Sequence, residues 1–503
     1  MIPWGAGYVT DVNYIPGYYV EQSPVHMVAA ARLVGVACDM PDADDPVHYL
    51  EIGCGLGVVA LTLAASNPGW RITGIDFNPA HIATARTLAR QAGIANVTFI
   101  EADLASLPES RTADAIPTAD FVSIHGLWSW ISPAVQAGIV RLLRDKVQAG
   151  GVVHISYNAL PGWQGRLGMQ RLVRAAGLAH SGRSDRQAEA GFEILRALHA
   201  AGAWHLTGNA QLEALLRGLP DAPGSYLAHE FMNACWAPAF HADVAASLAE
   251  AKLEWIGTGI LLENFPELTL TAAQREVYGR IDDPLYRELV KDLCLARSLR
   301  HDLFIRGAHR LGGADRNAAL DEIVLLAAVA EDEFKYEIQM AQGKVALQRE
   351  FYAAVMAALA AGPRSVGELL ALPETMARRD NPAELLGILI GTGQAVPVLR
   401  PDAPPAPTAD ALNHILAGAF GTLAQRGTTL ALASSRLGAG LPANAVDLFV
   451  HARVQQGEDD SSLDAWTASL GDGLEPAAKD QLRQLLERTF NRRLPIFRAA
   501  GVL

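Results

Sequence analysis

The sequence is poor in cysteine and contains no long apolar run. Only four cysteines occur in 503 residues, and no two of them form a CxxC pair, so neither a zinc ribbon nor a disulfide framework is expected. The first residues lack the basic and apolar regions of a signal peptide, and no apolar run approaches the roughly 18 residues that a membrane helix needs. These absences predict a soluble cytoplasmic protein with no membrane-inserted segment.

Basic residues are also scarce. Lys and Arg together number 41 against 54 Asp and Glu, which gives a formal net charge of −13. A protein that grips phosphate backbones needs clustered Lys and Arg, so we do not expect nucleic acid as a partner. Half of the residues are hydrophobic, and a chain of this length is expected to form about three domains.

Short apolar runs alternate with helical patterns through the first third of the chain. Five strands are predicted, at 47–52, 71–76, 97–100, 121–124 and 151–156. A succession of five such β–α units predicts a parallel sheet with helices on both faces. Ligands of these sheets bind beyond the carboxyl ends of the strands, where loops and helix amino-termini converge.

A glycine-rich loop and two acidic residues follow the first three strands. The loop lies in Glu51–Gly57, and Asp76 and Asp103 follow the second and third strands. The dinucleotide fingerprint needs a small residue where Val58 stands, and the P-loop lysine is missing. A carboxylate after strand two can accept both ribose hydroxyls, and one after strand three can accept from an adenine amino group. Three acids also suit a cationic ligand, and S-adenosylmethionine is such a ligand.

The stretches LEIGCGLG, GID and EADL, in this order, resemble the class I S-adenosylmethionine-dependent methyltransferases. The resemblance implies an α/β fold with a Rossmann-like seven-stranded sheet, S-adenosyl-L-methionine as cofactor and S-adenosyl-L-homocysteine as product. It places the glycines along the methionine moiety, Asp76 on the ribose, and Asp103 and Leu104 at the adenine. The predicted cofactor-binding residues are Glu51, Gly53, Cys54, Gly55, Gly57, Asp76, Phe77, Asp103, Leu104 and His125.

The aromatic loop HGLWSW follows the fourth strand, where class I enzymes face the transferable methyl group. It departs from the Asn/Asp-Pro-Pro-aromatic stretch typical of family members that methylate exocyclic amines of nucleic acid bases. Methyl transfer needs alignment, exclusion of water and stabilisation of positive charge, which aromatic faces supply. Packing under the sheet edge is the alternative for the tryptophans, and capping of a backbone group for the histidine. The predicted catalytic residues are His125, Trp128, Trp130, Tyr157, Asn158 and, in a tyrosine-rich arm over the pocket, Tyr14 and Tyr18.

Five further stretches resemble the bacterial methyltransferases that carry a methyltransferase regulatory domain. They are YIPGYYVEQSP, HGLWSWISP, YNALPGW, residues 226–233 and residues 300–307. That group includes enzymes that methylate lysines of outer-membrane proteins, so the resemblance implies a protein substrate and N-methylation of lysine. A small-molecule acceptor and a non-catalytic cofactor-binding protein stay open as alternatives. No metal is predicted, and a homodimer is left open.

Helical inserts and further domains are predicted around and after the sheet. Inserts at about 160–240 and 265–300 fall within a methyltransferase domain of residues 1–315, whose last two strands are predicted at 253–258 and 302–306. The helical inserts are therefore expected to be part of the catalytic domain and not a domain appended to it.

Residues 316–400 are predicted to form a helical connection and a winged-helix-like domain of three helices and a hairpin. The third helix, 382–394, holds no Lys or Arg, so it is suited to protein contact and not to reading DNA. Residues 409–503 are predicted to form a small, mostly helical domain that follows a proline-rich linker.

Overall fold

A seven-stranded sheet forms the centre of the amino-terminal part of the chain. The computed structural model describes residues 5, 7–12, 16–41, 46–208, 210–218, 223–340, 343–420 and 429–503. The strands of the main sheet are β1 (His48–Ile52), β2 (Arg71–Asp76), β3 (Val97–Glu101), β4 (Ala119–Ile124), β5 (Val147–Asn158), β6 (Glu254–Thr258) and β7 (Leu299–Ile305). The helices before and between the first five strands are α1 (Pro24–Leu33), α2 (Val58–Ser66), α3 (Pro79–Gln91), α4 (Arg111–Asp114) and α5 (Pro133–Lys146).

The strand order places a crevice at the ends of β1 and β4. The order is β3-β2-β1-β4-β5-β7-β6; β1 to β5 are parallel, and β7 runs antiparallel to β5 and β6. This arrangement confirms the predicted Rossmann-like sheet of seven strands. The direction of winding reverses between β1 and β4, and ligands of such sheets bind at this reversal, outside the carboxyl ends of the strands.

Capping residues fix where the helices beside the crevice begin. The side chain of Asn78 accepts a hydrogen bond from the Ala80 N–H at the start of α3. Ser132 caps α5 in the same way by accepting from the Val135 N–H. Such caps satisfy backbone N–H groups that the first turn leaves without a partner. The loops after β2 and β4 therefore turn at defined positions over the crevice.

Two groups of helices interrupt the sheet, after β5 and after β6. The first group is α6 (Leu167–Leu178), α7 (Ser184–Ala200), α8 (Ala210–Gly218), α9 (Gly224–Phe231) and α10 (His241–Ala249). The second group is α11 (Pro266–Thr269), α12 (Ala272–Tyr278) and α13 (Pro284–Cys294). An edge-to-face contact of Phe192 with Phe231, at 5.0 Å between ring centroids, joins α7 to α9. These rings belong to a separate small core that also contains Trp163, just beyond the end of β5.

A small sheet packed with helices follows β7. Its elements are α14 (Gly313–Asp321), β8 (Val324–Ala327), β9 (Glu337–Met340), β10 (Gly343–Ala346), α15 (Arg349–Ala360), β11 (Arg364–Ser365), α16 (Val366–Leu370), α17 (Pro382–Gly391) and β12 (Ala395–Val398). The strand order is β11-β8-β12, while β9 and β10 pair separately.

The hairpin predicted after the third helix of a winged-helix-like domain is absent from the described part of this region. Instead, β12 pairs antiparallel with β8, which precedes α15 in the chain. The backbone N–H groups of Leu399 and Arg400 donate to the carbonyl of Arg436 and not to a returning strand. The prolines of 401–407 also lack the N–H groups that a ladder needs. The predicted similarity to a winged helix therefore stays a prediction, and it now rests on the three helices alone.

The last elements of the chain are α18 (Pro407–Phe420), β13 (Leu430–Ser434), β14 (Ala439–Ala443), α19 (Ala445–Gln455), α20 (Leu463–Leu470), α21 (Pro476–Arg488) and α22 (Leu494–Ala499). Of these, α18, β13 and β14 pack directly on the main sheet's helix α2. Ser66 Oγ donates to the Ala439 carbonyl at 3.1 Å and accepts from the Ser434 N–H at 3.0 Å. Within the described ranges, no helix combines the length and the apolar character that crossing a bilayer requires.

Candidate active site

The loop between β1 and α2 turns on three glycines. Gly53, Gly55 and Gly57 have φ values of 77°, 52° and 74°, a left-handed region that other residues rarely adopt. A Cβ atom on Gly57 would lie 2.7 Å from the ring of Phe99, whereas one on Gly55 would meet no atom within 4 Å. Packing therefore requires glycine at 57, and position 55 presents bare backbone that a ligand can approach closely.

Asp76 ties this loop to the end of β2. Its Oδ2 accepts from the Gly55 N–H at 2.8 Å, and its Oδ1 accepts from the Asn78 N–H at 2.8 Å. Each carboxylate oxygen has a second lone pair, which suits the ribose hydroxyls that the sequence assigns to it. Asp103, beyond the end of β3, has an exposed carboxylate whose Oδ1 accepts from the Ala105 N–H at 2.9 Å. The two acids are thus presented at the ends of neighbouring strands.

Glu51 is buried beneath the loop. Its Oε2 accepts from the Ala60 N–H at 2.9 Å in the first turn of α2, and Gln22 Nε2 lies 3.5 Å from its Oε1. Burial raises the pKa of this carboxyl to about 8. Cys54 and Leu104 are buried as well. Glu51 and Cys54 also line the pocket that opens beside this loop.

A pocket opens between the glycine loop and residues 16–22. Tyr19, Gln22 and His125 line the side that faces the loop. The rings of Tyr19 and His125 have centroids 4.0 Å apart, and His125 Nδ1 lies 2.9 Å from Ser156 Oγ on β5. Burial lowers the pKa of His125 well below its ordinary value. His125 therefore lines this pocket as a neutral imidazole near pH 7.

Residues 7–12 reach the Asp76 side of the pocket through Tyr8. The Tyr8 ring makes an edge contact with Phe77, at 5.3 Å between centroids. Burial, followed by the negative charges of Asp76 and Glu230, raises the pKa of the Tyr8 phenol. The chain before α1 therefore contributes Tyr8 and Tyr19, two tyrosines that the sequence analysis did not choose.

Tyr18, which we predicted to be catalytic, is directed elsewhere. Its hydroxyl accepts from the Gly440 N–H at 2.9 Å, in the contact with β14, so this prediction is wrong. Successive side chains of an extended segment point to opposite sides, and the other side carries Tyr19 to the pocket. Tyr14 lies outside the described residues.

The prediction for Tyr157 is also wrong, because its side chain points away from the pocket. Tyr157 is fully buried, and its hydroxyl donates to Asp302 Oδ2 at 2.5 Å. Arg300 Nε donates to the same oxygen at 2.9 Å. Side chains alternate between the two faces of β5, so Ser156 and Asn158 reach the crevice while Tyr157 enters this ionic network.

Trp128 and Trp130 occupy different environments. Trp128 is 3% exposed and belongs to the core that includes Ile124, so the packing alternative describes it. Trp130 is half-buried, and its indole Nε1 has no hydrogen-bond partner among the described residues. Between them, Ser129 Oγ accepts from the Asn158 N–H at 2.8 Å. This bond anchors the aromatic loop on β5.

Asn158 meets a buried carboxylate that the sequence analysis did not assign. Its Nδ2 donates to Glu230 Oε1 at 3.0 Å, and Glu230 is 8% exposed. Burial raises the pKa of Glu230 to about 7. The charge of Glu230 also contributes to the raised pKa of Tyr226. The stretch 226–233 was notable only for its family resemblance. No local motif marks Glu230, because its hydrogen-bond partner Asn158 lies on β5, 72 positions away.

Comparisons with known proteins agree with this geometry. The family described as methyltransferase domain matches residues 43–144, and the family described as predicted methyltransferase regulatory domain matches residues 223–306. The uncharacterized protein sll1526 of Synechocystis is 34% identical over 366 residues, which are 73% of this chain and 71% of that protein. A tRNA (guanine-N(7)-)-methyltransferase of Yersinia enterocolitica is 30% identical over 150 residues, 29% of this chain and 58% of that one.

The fold as a whole is similar to that of PKMT2 from Rickettsia typhi in complex with AdoHcy. The TM-score is 0.71 at 16% identity, over 97% of this chain and 99% of that one. The chain therefore belongs to the class I S-adenosylmethionine-dependent methyltransferases that carry a methyltransferase regulatory domain. It is an enzyme of this class, with S-adenosylmethionine as its methyl donor.

Proposed function

We propose that the enzyme methylates the side-chain amine of lysine in a protein substrate. The observation that carries this proposal is the buried Glu230 carboxylate, held by Asn158 and close enough to Tyr8 for its charge to act on that phenol. The charge of Asp76, on the cofactor side, acts on the same phenol. An acid and aromatic rings beside the cofactor pocket suit a cationic acceptor.

The residues that would hold the cofactor fit it. The bare backbone at Gly55 leaves room for the methionine part, Asp76 would accept from the ribose hydroxyls, and Asp103 would accept from the adenine amino group. The bound cofactor supplies an electrophilic methyl carbon on a sulfonium. The protein's task is then to align the acceptor and to exclude water from the pocket.

Glu230 would take the proton that a lysine must lose. A lysine amine has a pKa near 10.4, so it arrives protonated and has no free lone pair. A carboxylate with a pKa of about 7 can bind the ammonium and accept its proton. The nitrogen lone pair then forms the new bond to the methyl carbon, and the electrons of the breaking carbon–sulfur bond stay on sulfur.

The fold similarity to PKMT2 over nearly the whole chain and the resemblance to bacterial lysine methyltransferases support a protein acceptor. The test is incubation of the full chain with methyl-labelled S-adenosylmethionine and a bacterial outer-membrane protein extract. We expect label in protein, recovered as methyl-lysine after hydrolysis, and no such label with Glu230→Gln. Label that enters only small molecules or RNA would contradict the proposal.

A cytoplasmic location is a further prediction, and a homodimer stays open. The four cysteines are all free, which fits a reducing compartment. Cell fractionation tests the location, and light scattering at several protein concentrations tests the dimer.

A further inference from the structure

We propose that His125, His154 and His301 form a binding site for a divalent transition-metal ion such as Zn²⁺, at the edge of the cofactor pocket. One potential ligand nitrogen from each imidazole lies within 4.8 Å of the other two. His154 Nε2 and His301 Nδ1 are 3.1 Å apart. The ring centroids are separated by 5.3 to 6.1 Å. This inference does not depend on the identity of the methyl acceptor.

The spacing of these nitrogens is close to that of a tetrahedral zinc site. Zn–N bonds of about 2.0–2.1 Å place two ligand nitrogens about 3.3–3.4 Å apart. The pair His154 Nε2 and His301 Nδ1 already has nearly this separation. His125 follows β4 in the chain, His154 lies on β5 and His301 on β7. Small rotations of the imidazoles on these strands and on the adjoining loop would bring the third nitrogen to bonding distance.

Two serines hold the imidazoles as supporting partners of metal ligands do. His125 Nδ1 lies 2.9 Å from Ser156 Oγ, and His154 Nδ1 lies 3.1 Å from Ser123 Oγ. Gln22 Nε2 donates to Ser123 Oγ at 3.0 Å. A ring that donates Nδ1–H to a neighbour keeps the Nε2 lone pair for a metal, and such partners fix both tautomer and orientation.

The electrostatic surroundings suit a dication. The negative charge of Glu21 acts on His301. Three histidines leave a fourth coordination position for water or a substrate atom. Since His125 also lines the cofactor pocket, this position would be reachable from it.

The sequence predicted no metal, because spacing in the chain does not reveal this site. His154 and His301 are separated by 147 positions, and neither stands in a ligand motif. Antiparallel pairing of β5 with β7, which sets Ser156 opposite His301, brings the two imidazoles together.

Cobalt(II) is the probe for this site, because it replaces zinc and absorbs visible light when four- or five-coordinate. Tag-free full chain is stripped with chelator, titrated with Co²⁺, and then back-titrated with Zn²⁺. We expect one cobalt per chain with visible absorption that zinc abolishes. Loss of a residue that only supports a metal ligand typically weakens metal binding roughly 10–100-fold. Loss of a ligand should cost at least as much, so His154→Gln and His301→Gln should each weaken cobalt binding at least tenfold.

A matched control keeps the test independent of folding. His48→Gln replaces another buried strand histidine, one bonded to Thr73 and Thr118, and should bind cobalt as the unmodified chain does. Affinity for S-adenosylhomocysteine reports on the fold of each variant. If the unmodified chain gives no zinc-sensitive cobalt absorption, or if all variants bind cobalt equally, the three rings form a metal-free hydrogen-bonded cluster and the proposal is wrong.

Discussion

The two sides of the active-site pocket are built in different ways. The proposed cofactor side consists of backbone N–H groups, turn glycines and the carboxylates of Asp76 and Asp103, all within residues 51–104. The proposed acceptor side consists of side chains from the chain before α1, from β5 and from α9, which are far apart in sequence. A single substitution replaces one side chain, but it cannot change the position of one backbone N–H group alone. The acceptor side is therefore where a common fold can change its substrate.

Removing the acid of the acceptor side should give the largest effect on turnover. General acid–base groups typically contribute roughly 10²–10⁴-fold, so Glu230→Gln should lower the rate by at least a hundredfold while affinity for S-adenosylhomocysteine is kept. The exposed acid Glu250 provides the control variant Glu250→Gln. Initial rates and calorimetric binding on the same preparations separate the two sides of the pocket.

The pH dependence of the rate, compared between the unmodified enzyme and Glu230→Gln, sharpens this prediction. The folded-state pKa of Glu230 is raised to about 7, so its carboxylate is available as a base only above that pH. The rate should rise as pH increases through about 7, and Glu230→Gln should lose this step. The raised pKa also means that Glu230 contributes stability that is present below about pH 4.5 and lost as pH rises through about 7. An unchanged pH profile in Glu230→Gln would remove Glu230 from the mechanism.

On the cofactor side, a single methyl group at position 55 should block the ligand. Gly55 and Gly93 both have positive φ, 52° and 65°, and a Cβ on either would meet no protein atom within 4 Å. Gly55→Ala and Gly93→Ala therefore carry similar backbone strain, on the order of 1 kcal/mol. Gly55→Ala alone should weaken S-adenosylhomocysteine binding by tenfold or more, because its Cβ occupies space where the ligand approaches. Equal affinities in calorimetry would contradict the assignment of this loop.

Local sequence patterns single out the residues of the proposed cofactor side but not those of the proposed acceptor side, for a physical reason. Glycines at 53, 55 and 57 and acids at 76 and 103 follow successive strands, so local patterns locate them once the sheet is recognised. Glu230, in contrast, is held by a hydrogen bond from Asn158, which lies on another element. The strand ends were also predicted too short, as in β5, which runs from Val147 to Asn158. The prediction began this strand at Gly151 and ended it at Ser156.

Alternation explains the individual errors in the catalytic set. We chose Tyr18 and Tyr157 as polar aromatics near the ligand end of the sheet. Of their neighbours, Tyr19 lines the pocket and Asn158 donates to Glu230. In an extended segment, neighbouring side chains point to opposite faces. The sequence can therefore locate the segment correctly and still select the wrong one of two neighbours, when it does not reveal which face is buried. The faces are set by β14 on one side of the arm and by Asp302 under β5.

The aromatic loop offers a smaller contrast within one segment. Trp128 lies in the core and Trp130 is half-buried, so Trp128→Ala should cost about 3–5 kcal/mol of unfolding free energy and Trp130→Ala clearly less. Trp130→Phe should leave thermal melting nearly unchanged, because it removes a buried N–H that has no partner among the described residues. Equal losses of melting temperature in the two alanine variants would show that both rings pack in the core.

The neighbouring tyrosines of the arm give the smallest and most direct comparison. Tyr18→Phe removes the hydroxyl that accepts from the Gly440 N–H and should cost about 0.5–1.5 kcal/mol of stability, with the rate per folded enzyme unchanged. Tyr19→Ala should do the opposite: its ring is 39% exposed and lies on His125, so melting should change little while turnover falls severalfold through poorer alignment of the acceptor. Melting temperature and initial rate on both variants decide the matter. A loss of turnover in Tyr18→Phe with normal melting would reverse the assignment of the two faces of the arm.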